Sequence, residues 1–354
     1  MWTINVLYQF TDSFIPVDET ETGRDFLMDQ KNILRFLSAP PPREIGILGD
    51  FCVDVYWELA PEKGELSLET GLKTTPVGTA RYGLGGAGNI VANLRALGVL
   101  HTPCFGAVGR DPFGLWLRRE LMEPDPEPEK TLIDITRPTY HTPTYCKPLL
   151  HGVEQSRIDL GNVPLTDPEA DWLLNKIDQL AGSVEVLIIN QQIFHGIHTP
   201  RFRKRFAEYV KKNPKNIRFV YDGRDFLDAY PGVILKINAA AASRLAFGTP
   251  EHSPEESGKA ILAKNGVPLV VTDGAKGAYV FEETETTFIP AIPYEGPIDT
   301  VGAGDSFTAG FAFGLALGGT LVEAAELGTC CSAVTIRKLN QTGTPTPREI
   351  LELF

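Results

Sequence analysis

At 354 residues, with 43% hydrophobic and 22% charged residues, the chain has the make-up of one large globular α/β unit with insertions. A net charge of -12 and the lack of a dense Lys/Arg run argue against nucleic acid as a partner; Arg201 to Arg205, with Lys211 and Lys212, reads as the solvated face of a helix. Five cysteines without Cys-x-x-Cys spacing argue against a disulfide framework or a zinc knuckle. No apolar run approaches the roughly 20 residues of a membrane span, and no basic-then-apolar leader opens the chain, so no membrane partner and a cytoplasmic location are expected.

Residues 1–42 read as an amino-terminal extension that ends in the breaker run Ala39-Pro40-Pro41-Pro42, with a helix predicted over Phe26 to Leu37. From residue 43 strands and helices alternate. Ile45 to Asp50 reads as a short buried strand ending in a polar turn, and Ile90 to Leu97 as a helix closed by Gly98. Buried strands are predicted at Val184–Ile189, Ile217–Tyr221, Val233–Ile237 and Leu269–Thr272, separated by helices over Asp167–Ala181, Arg201–Lys212 and Glu255–Asn265. This alternation predicts an α/β fold over residues 43–354: a mainly parallel, doubly wound sheet with helices on both faces. Residues 54–83 and about 134–160 interrupt it with β-prone, turn-punctuated sequence, which predicts antiparallel strands forming a small lid. In such sheets ligands bind beyond the carboxyl ends of the strands.

The most informative segment is Asp299-Thr300-Val301-Gly302-Ala303-Gly304-Asp305-Ser306-Phe307. Behind it Phe307, Phe311 and Leu315 recur every four residues, which predicts a buried helix starting near Ala303. Glycines at its threshold permit a tight turn, and bare amides at a helix start form an anion site. Asp305 in that first turn is either a helix cap or a base that takes a proton from an attacking hydroxyl. Gly83-Leu84-Gly85-Gly86-Ala87-Gly88 formally satisfies G-x-G-x-x-G, but Val77 to Tyr82 is a poor buried strand and Asp111 lies in a Gly/Pro-rich turn, so a dinucleotide fingerprint is not supported. Upstream, Asp50 and Asp54 follow the first strand; carboxylates there suit paired sugar hydroxyls, or Asp50 caps the strand end instead.

Position for position, Asp299 to Phe307 resembles the carboxyl-terminal signature of the ribokinase-like (PfkB) carbohydrate kinases, and Gly85-Gly86-Ala87-Gly88-Asn89 with the helix ending at Gly98 is similar to their first signature. Gly106 to Gly114 resembles a further block, which reads as architectural. The resemblance covers about residues 44–354. It implies phosphoryl transfer from ATP, with Mg²⁺, to a hydroxyl of a sugar or sugar phosphate. Gly302, Ala303 and Gly304 would form the anion hole and Asp305 the catalytic base. Asp54, Gly85, Gly86 and Asn89 would hold the sugar, with Asp50 and Arg157 as further candidates. The Thr272-Asp273-Gly274 turn, with Gly277, would meet the ATP phosphates or ribose, Asn238 would stand nearby, and Lys338 to Gly343 would border the adenine. No protein metal ligand is assigned. A homodimer through the lid is also implied by resemblance.

Gly49-Asp50 to Trp57, the compact Gly-Gly-Ala-x-Asn spacing and the tail from Lys338 to Ile350 look most like the bacterial heptose-7-phosphate kinase branch, as do Thr144 to Lys147 and Gln155 to Asp159. Lys147 or Arg157 would suit a substrate that already carries a phosphate, or would form lid salt bridges. Two departures stand out. The family's Asn-x-x-Glu reads Asn238-Ala239-Ala240-Ala241 here, so the carboxylate is missing, and Asn190-Gln191-Gln192 replaces a Ser-Asp-Tyr. They leave open a catalytically weak sugar or nucleotide sensor on the same scaffold. A nucleoside kinase is the other alternative.

Overall fold

The computed structural model describes residues 30–122, 133–181, 184–213, 217–339 and 341–354. Helix α1 (Gln30–Ser38) buries Ile33 and Phe36, and Arg35 pairs with Glu323 at 3.0 Å. This helix, within the segment read as an extension, therefore packs into the core; residues 1–29 lie outside the described residues.

Strand β1 (Gly46–Gly49) runs almost directly into β2 (Phe51–Leu59), then β3 (Val77–Gly86) leads into α2 (Ala87–Ala96). There follow β4 (Cys104–Phe105), β5 (Ala107–Gly109), α3 (Pro112–Met122), β6 (Ile133–Ile135), β7 (Thr144–Leu150), β8 (Val153–Glu154) and β9 (Ile158–Leu160). The next stretch is α4 (Asp167–Leu180), β10 (Val186–Gln191), α5 (Pro200–Lys212), β11 (Arg218–Gly223), β12 (Ile234–Asn238), α6 (Ala239–Phe247) and α7 (Pro254–Asn265). The chain closes with β13 (Leu269–Thr272), β14 (Gly277–Phe281), β15 (Thr286–Pro290), α8 (Ala303–Ala316), α9 (Leu321–Thr335) and α10 (Pro347–Leu351).

Eight strands form the main sheet in the order β15-β14-β13-β12-β11-β10-β1-β4. The six from β4 to β13 are parallel, and β14 and β15 add an antiparallel edge. Its central strands are continuous apolar runs because both faces are covered. Ile47, Ile188, Val220 and Val270 face α1, α2, α8 and α9, while Leu187, Ile189, Tyr221 and Leu235 face α4, α5, α6 and α7. Helix starts follow from local chemistry: Thr166 with Glu169, Ser253 with Glu256, and Thr320 with Glu323 form capping boxes, each answering orphan amides at the first turn.

The lid is a second sheet, ordered β3-β2-β7-β8 with β9 also on β7. Its pairs β2/β3, β7/β8 and β7/β9 are antiparallel, as expected, but β2 and β7 run parallel. The correction has a topological reason: a long crossover through α2 and α3 separates them, and such a connection can return a strand in the same direction. Val77 to Tyr82, too polar for a buried strand, is the largely exposed outer part of β3.

Candidate active site

Asp305 lies in the first turn of α8, where the sequence places it. The helix begins after Gly302, whose φ of 79° is left-handed; a Cβ there would also lie 2.8 Å from Asn89 Nδ2. Only glycine satisfies both constraints. The first-turn amides of Gly304 and Asp305 have no intrahelical acceptor and carry the positive end of the helix dipole. Asn89, from α2, donates from Nδ2 to Asp305 Oδ2 at 2.7 Å. Asn89 is itself fixed by Asn93, which donates to its backbone carbonyl, and Ser306 in turn donates to Asn93. The two Gly-rich motifs, 216 residues apart in sequence, thus meet at one carboxylate.

Burial pushes the Asp305 carboxyl up to about 6, and the negative charge of Asp222 adds to the rise; Asn89, Lys236 and Arg224 oppose it. Asp222 and Lys236 stand opposite each other on β11 and β12 and pair at 3.2 Å, almost wholly buried. Lys236 Nζ also donates to the carbonyl of Gly304 at 3.1 Å, and Thr308 donates to Asp222.

Two cavities meet at this helix start, with Thr272 and Gly304 lining both. The first, about 490 Å³, is polar and lies between lid and sheet. Asp54, Gly85, Gly86, Asn89, Arg157, Asn238, Gly302 and Asp305 all line it, alongside Lys147, Asn162, His195, Asp222, Arg224, Lys236 and Thr342. Asp54 pairs with Lys147 at 3.1 Å, and Lys147 also donates to the Tyr56 hydroxyl. Arg157 grips Asp159 through two nitrogens and lies over the Tyr145 ring at 4.5 Å. Backbone at Gly85 and Gly86 faces this space; a Cβ at Gly86, φ 54°, would fall 2.5 Å from the carbonyl of Asp50. The Cys52 thiol on the same wall is held well above its usual range by burial and by Asp54, Asp50 and Asp305, which disfavours its thiolate.

The second cavity, about 550 Å³, is largely apolar and lined by Ile292, Pro293, Tyr294, Ile298, Phe307 and Ile336, with Ala303 at its inner end. Gly274 and Gly277 border it. At Gly277, φ 129°, a Cβ would lie 2.0 Å from the Ile289 carbonyl, so a tight turn fixes that residue type.

Two sequence-predicted assignments need correction, and a third residue has a second role. Asp50 is buried and does not line the polar cavity; its carboxylate accepts the backbone N–H groups of Gln192, Ile193 and Ile197 at 2.9–3.0 Å. It ties the loop after β10 to the end of β1, because a buried carboxylate needs such donors. Lys338 and Gly343 do not line the apolar cavity: Lys338 Nζ is held by the Thr344 carbonyl and by Glu349 of α10, and Gly343 packs against the Lys338 stem. Asn238 does reach the polar cavity, but its side-chain oxygen accepts the Ala241 N–H and starts α6.

Whether the site suits a protein-held Mg²⁺ is decided by its carboxylates. Ala241 is buried and apolar where the resemblance expects Glu, and Asp222 is engaged by Lys236 and Thr308. Among the described residues no group of three His, Cys, Asp or Glu side chains is placed to hold a metal ion. The arrangement therefore does not fit a metal anchored by protein carboxylates beside the helix start. Lys236, Arg224, Asp222 and His195 went unrecognised in the sequence, although Lys236 carries a signal: two residues before Asn238 in a strand, it shares that residue's face.

Residues 215–348 match the pfkB family carbohydrate kinase. The chain is 29% identical over 336 residues to the bifunctional protein HldE of Pelobacter propionicus, covering 92% of this chain and 66% of that protein. It is 30% identical over 317 residues to the bifunctional protein HldE of Campylobacter jejuni, covering 87% and 64%. It thus spans less than two thirds of the length of these relatives. Among solved structures it is similar to Arabidopsis thaliana ribokinase complexed with ribose and ATP, with a TM-score of 0.65, 22% identity, and coverage of 89% of this chain and 99% of that one. Escherichia coli phosphofructokinase-2 gives a TM-score of 0.67 at 16% identity, covering 88% and 98%. The fold is ribokinase-like.

Proposed function

From the match of residues 215–348 to the pfkB family carbohydrate kinase, we propose that the chain moves the γ-phosphoryl group of ATP onto a hydroxyl of a sugar or sugar phosphate. The observation that carries this reading is the meeting of a polar and a largely apolar cavity at one helix start that bears Asp305. The apolar cavity takes the nucleoside, the polar one the sugar, and the phosphoryl group passes between them over the start of α8, where the amides of Gly304 and Asp305 have no intrahelical acceptor. Asp305 accepts the hydroxyl proton as the oxygen attacks, oriented by Asn89. Asp54, Gly85, Gly86 and Asn89 hold the sugar, with Lys147 and Arg157 on the lid side. The motifs that resemble the heptose-7-phosphate kinases favour a heptose-phosphate-like acceptor. Residues 43–354 form the kinase domain.

Magnesium neutralises phosphate charge in such reactions, and here it would be carried by the nucleotide oxygens and water, since among the described residues no group of three His, Cys, Asp or Glu side chains is placed to hold it. Ala241→Glu is therefore expected to lower the Mg²⁺ concentration for half-maximal turnover severalfold, read from an Mg²⁺ titration with melting temperature as the folding control. Unchanged Mg²⁺ dependence in a folded variant would count against this account of the position.

The free enzyme's base also sets a pH limb. With Asp305 raised to about 6, the ionised form is lost as pH falls through that value, so kcat/KM should drop about tenfold per unit below it. Removing the like charge with Asp222→Asn should move the limb to lower pH. A profile flat down to pH 5 would contradict the base assignment.

The direct test is ATP turnover against heptose, hexose and pentose sugars and their phosphates, with adenosine alongside. Preference for adenosine would make it a nucleoside kinase. Ala241 favours one alternative: a sensor that binds such a sugar without turning it over, recognised by a raised melting temperature and no product.

A further inference from the structure

Of the four cations lining the polar cavity, three are matched by a carboxylate: Lys147 by Asp54, Arg157 by Asp159 and Lys236 by Asp222. The fourth, Arg224, forms no ion pair with a carboxylate among the described residues, although its charge is felt by Asp305. It is also not a residue on a slack loop. Gln191, one of the residues that departs from the heptose-kinase pattern, accepts the N–H groups of both Arg224 and Asp225 through its side-chain oxygen, at 3.1 and 2.7 Å, while its backbone oxygen takes the Arg224 N–H as well. Its nitrogen donates to the Ile193 carbonyl, the Tyr221 hydroxyl donates to the Asp225 carbonyl, and the Arg203 guanidinium lies 3.8 Å from the centre of the Phe226 ring. Gln191 is wholly buried. A turn this tightly held presents Arg224 at the carboxyl end of β11, beside Asp222 and Lys236, on the rim where the phosphoryl group must pass.

We propose that Arg224 is a phosphate-binding residue of this site, held in place by Gln191 as a positioning residue. A guanidinium with no carboxylate at ion-pair distance, among cations that are each paired, is a place for an anion, and its planar fork suits phosphate oxygens two at a time. The charge it brings falls where Ala241 leaves none to organise a metal, so cationic side chains carry the compensation that family members share with a carboxylate-held ion. The proposal rests on the kinase reading. The phosphate is either the γ-group of the donor or a phosphate already on the acceptor, and these are separable.

Titration calorimetry on the full chain would compare wild type with Arg224→Ala, Arg224→Lys and Gln191→Leu. The probes are ADP, a non-hydrolysable ATP analogue, and phosphorylated and free sugars added to the ADP-bound protein. A loss of about tenfold to hundredfold for the ATP analogue with ADP within twofold assigns the donor γ-phosphate. A loss of that size confined to phosphorylated sugars assigns the acceptor phosphate. In either case Arg224→Lys should recover part of the loss, and Gln191→Leu should show the same ligand pattern more weakly, which mere destabilisation would not produce. Equal binding of every probe by wild type and Arg224→Ala overturns the proposal alone. Wild-type protein that binds neither nucleotide overturns the kinase reading beneath it.

Discussion

Asp305→Asn is expected to lower kcat by about 10²- to 10⁴-fold while leaving the dissociation constant for ATP within about twofold. Asparagine matches the carboxylate in size, so α8 still starts at Ala303 and the amides of residues 302–304 keep their places. What is lost is a group able to accept the hydroxyl proton, since an amide cannot. The Asn89 contact survives in altered form: Nδ2 of Asn89 now donates at 2.7 Å to a carboxylate oxygen, and the amide oxygen of the variant can take over that role. Steady-state kinetics and calorimetry on one preparation separate the two effects. Turnover within threefold of wild type would remove Asp305 from the chemistry. An equal collapse of ATP binding would mean that it holds the helix start instead.

The contrast between what was and was not legible follows from the range over which each feature is encoded. The apolar runs at Leu269–Thr272 and Val233–Ile237, and the helix from Ala303, are decided by neighbours a few residues away, and they appear within a residue or so of where periodicity puts them. The glycines at 85, 86 and 302 were readable because only close backbone approaches require them. Asp50 was not. A carboxylate after a strand looks the same whether it faces a ligand or accepts amides from residues 192, 193 and 197, and those donors lie more than 140 positions away. The Lys338 charge is claimed by Glu349, eleven residues on, a pairing that appears only once α10 is placed against it. The Asp222–Lys236 pair is a cross-strand register effect, visible only once β11 and β12 are aligned side by side. Gln191, which reads in sequence as a loss, proves in three dimensions to hold a turn.

That buried pair gives the second large effect. Lys236 and Asp222 have side-chain exposures of 6% and 11%, so each charge is poorly hydrated when its partner is removed. Lys236→Met should therefore cost about 3–5 kcal/mol of folding stability, measured by urea unfolding, because Asp222 would keep only the Thr308 hydroxyl. The double variant Lys236→Met/Asp222→Leu removes both charges and should recover most of that loss, since well-packed apolar replacements of buried pairs are often neutral. Turnover is expected to behave differently. Lys236 Nζ sits against the Gly304 carbonyl at the point where both cavities meet, so the cation contributes to the field on the transferring group as well as to the fold. The double variant, though refolded, should remain about a hundredfold slower than wild type. If stability and turnover recover together, Lys236 serves packing alone and the charge compensation of the phosphoryl group must come from the helix amides and Arg224.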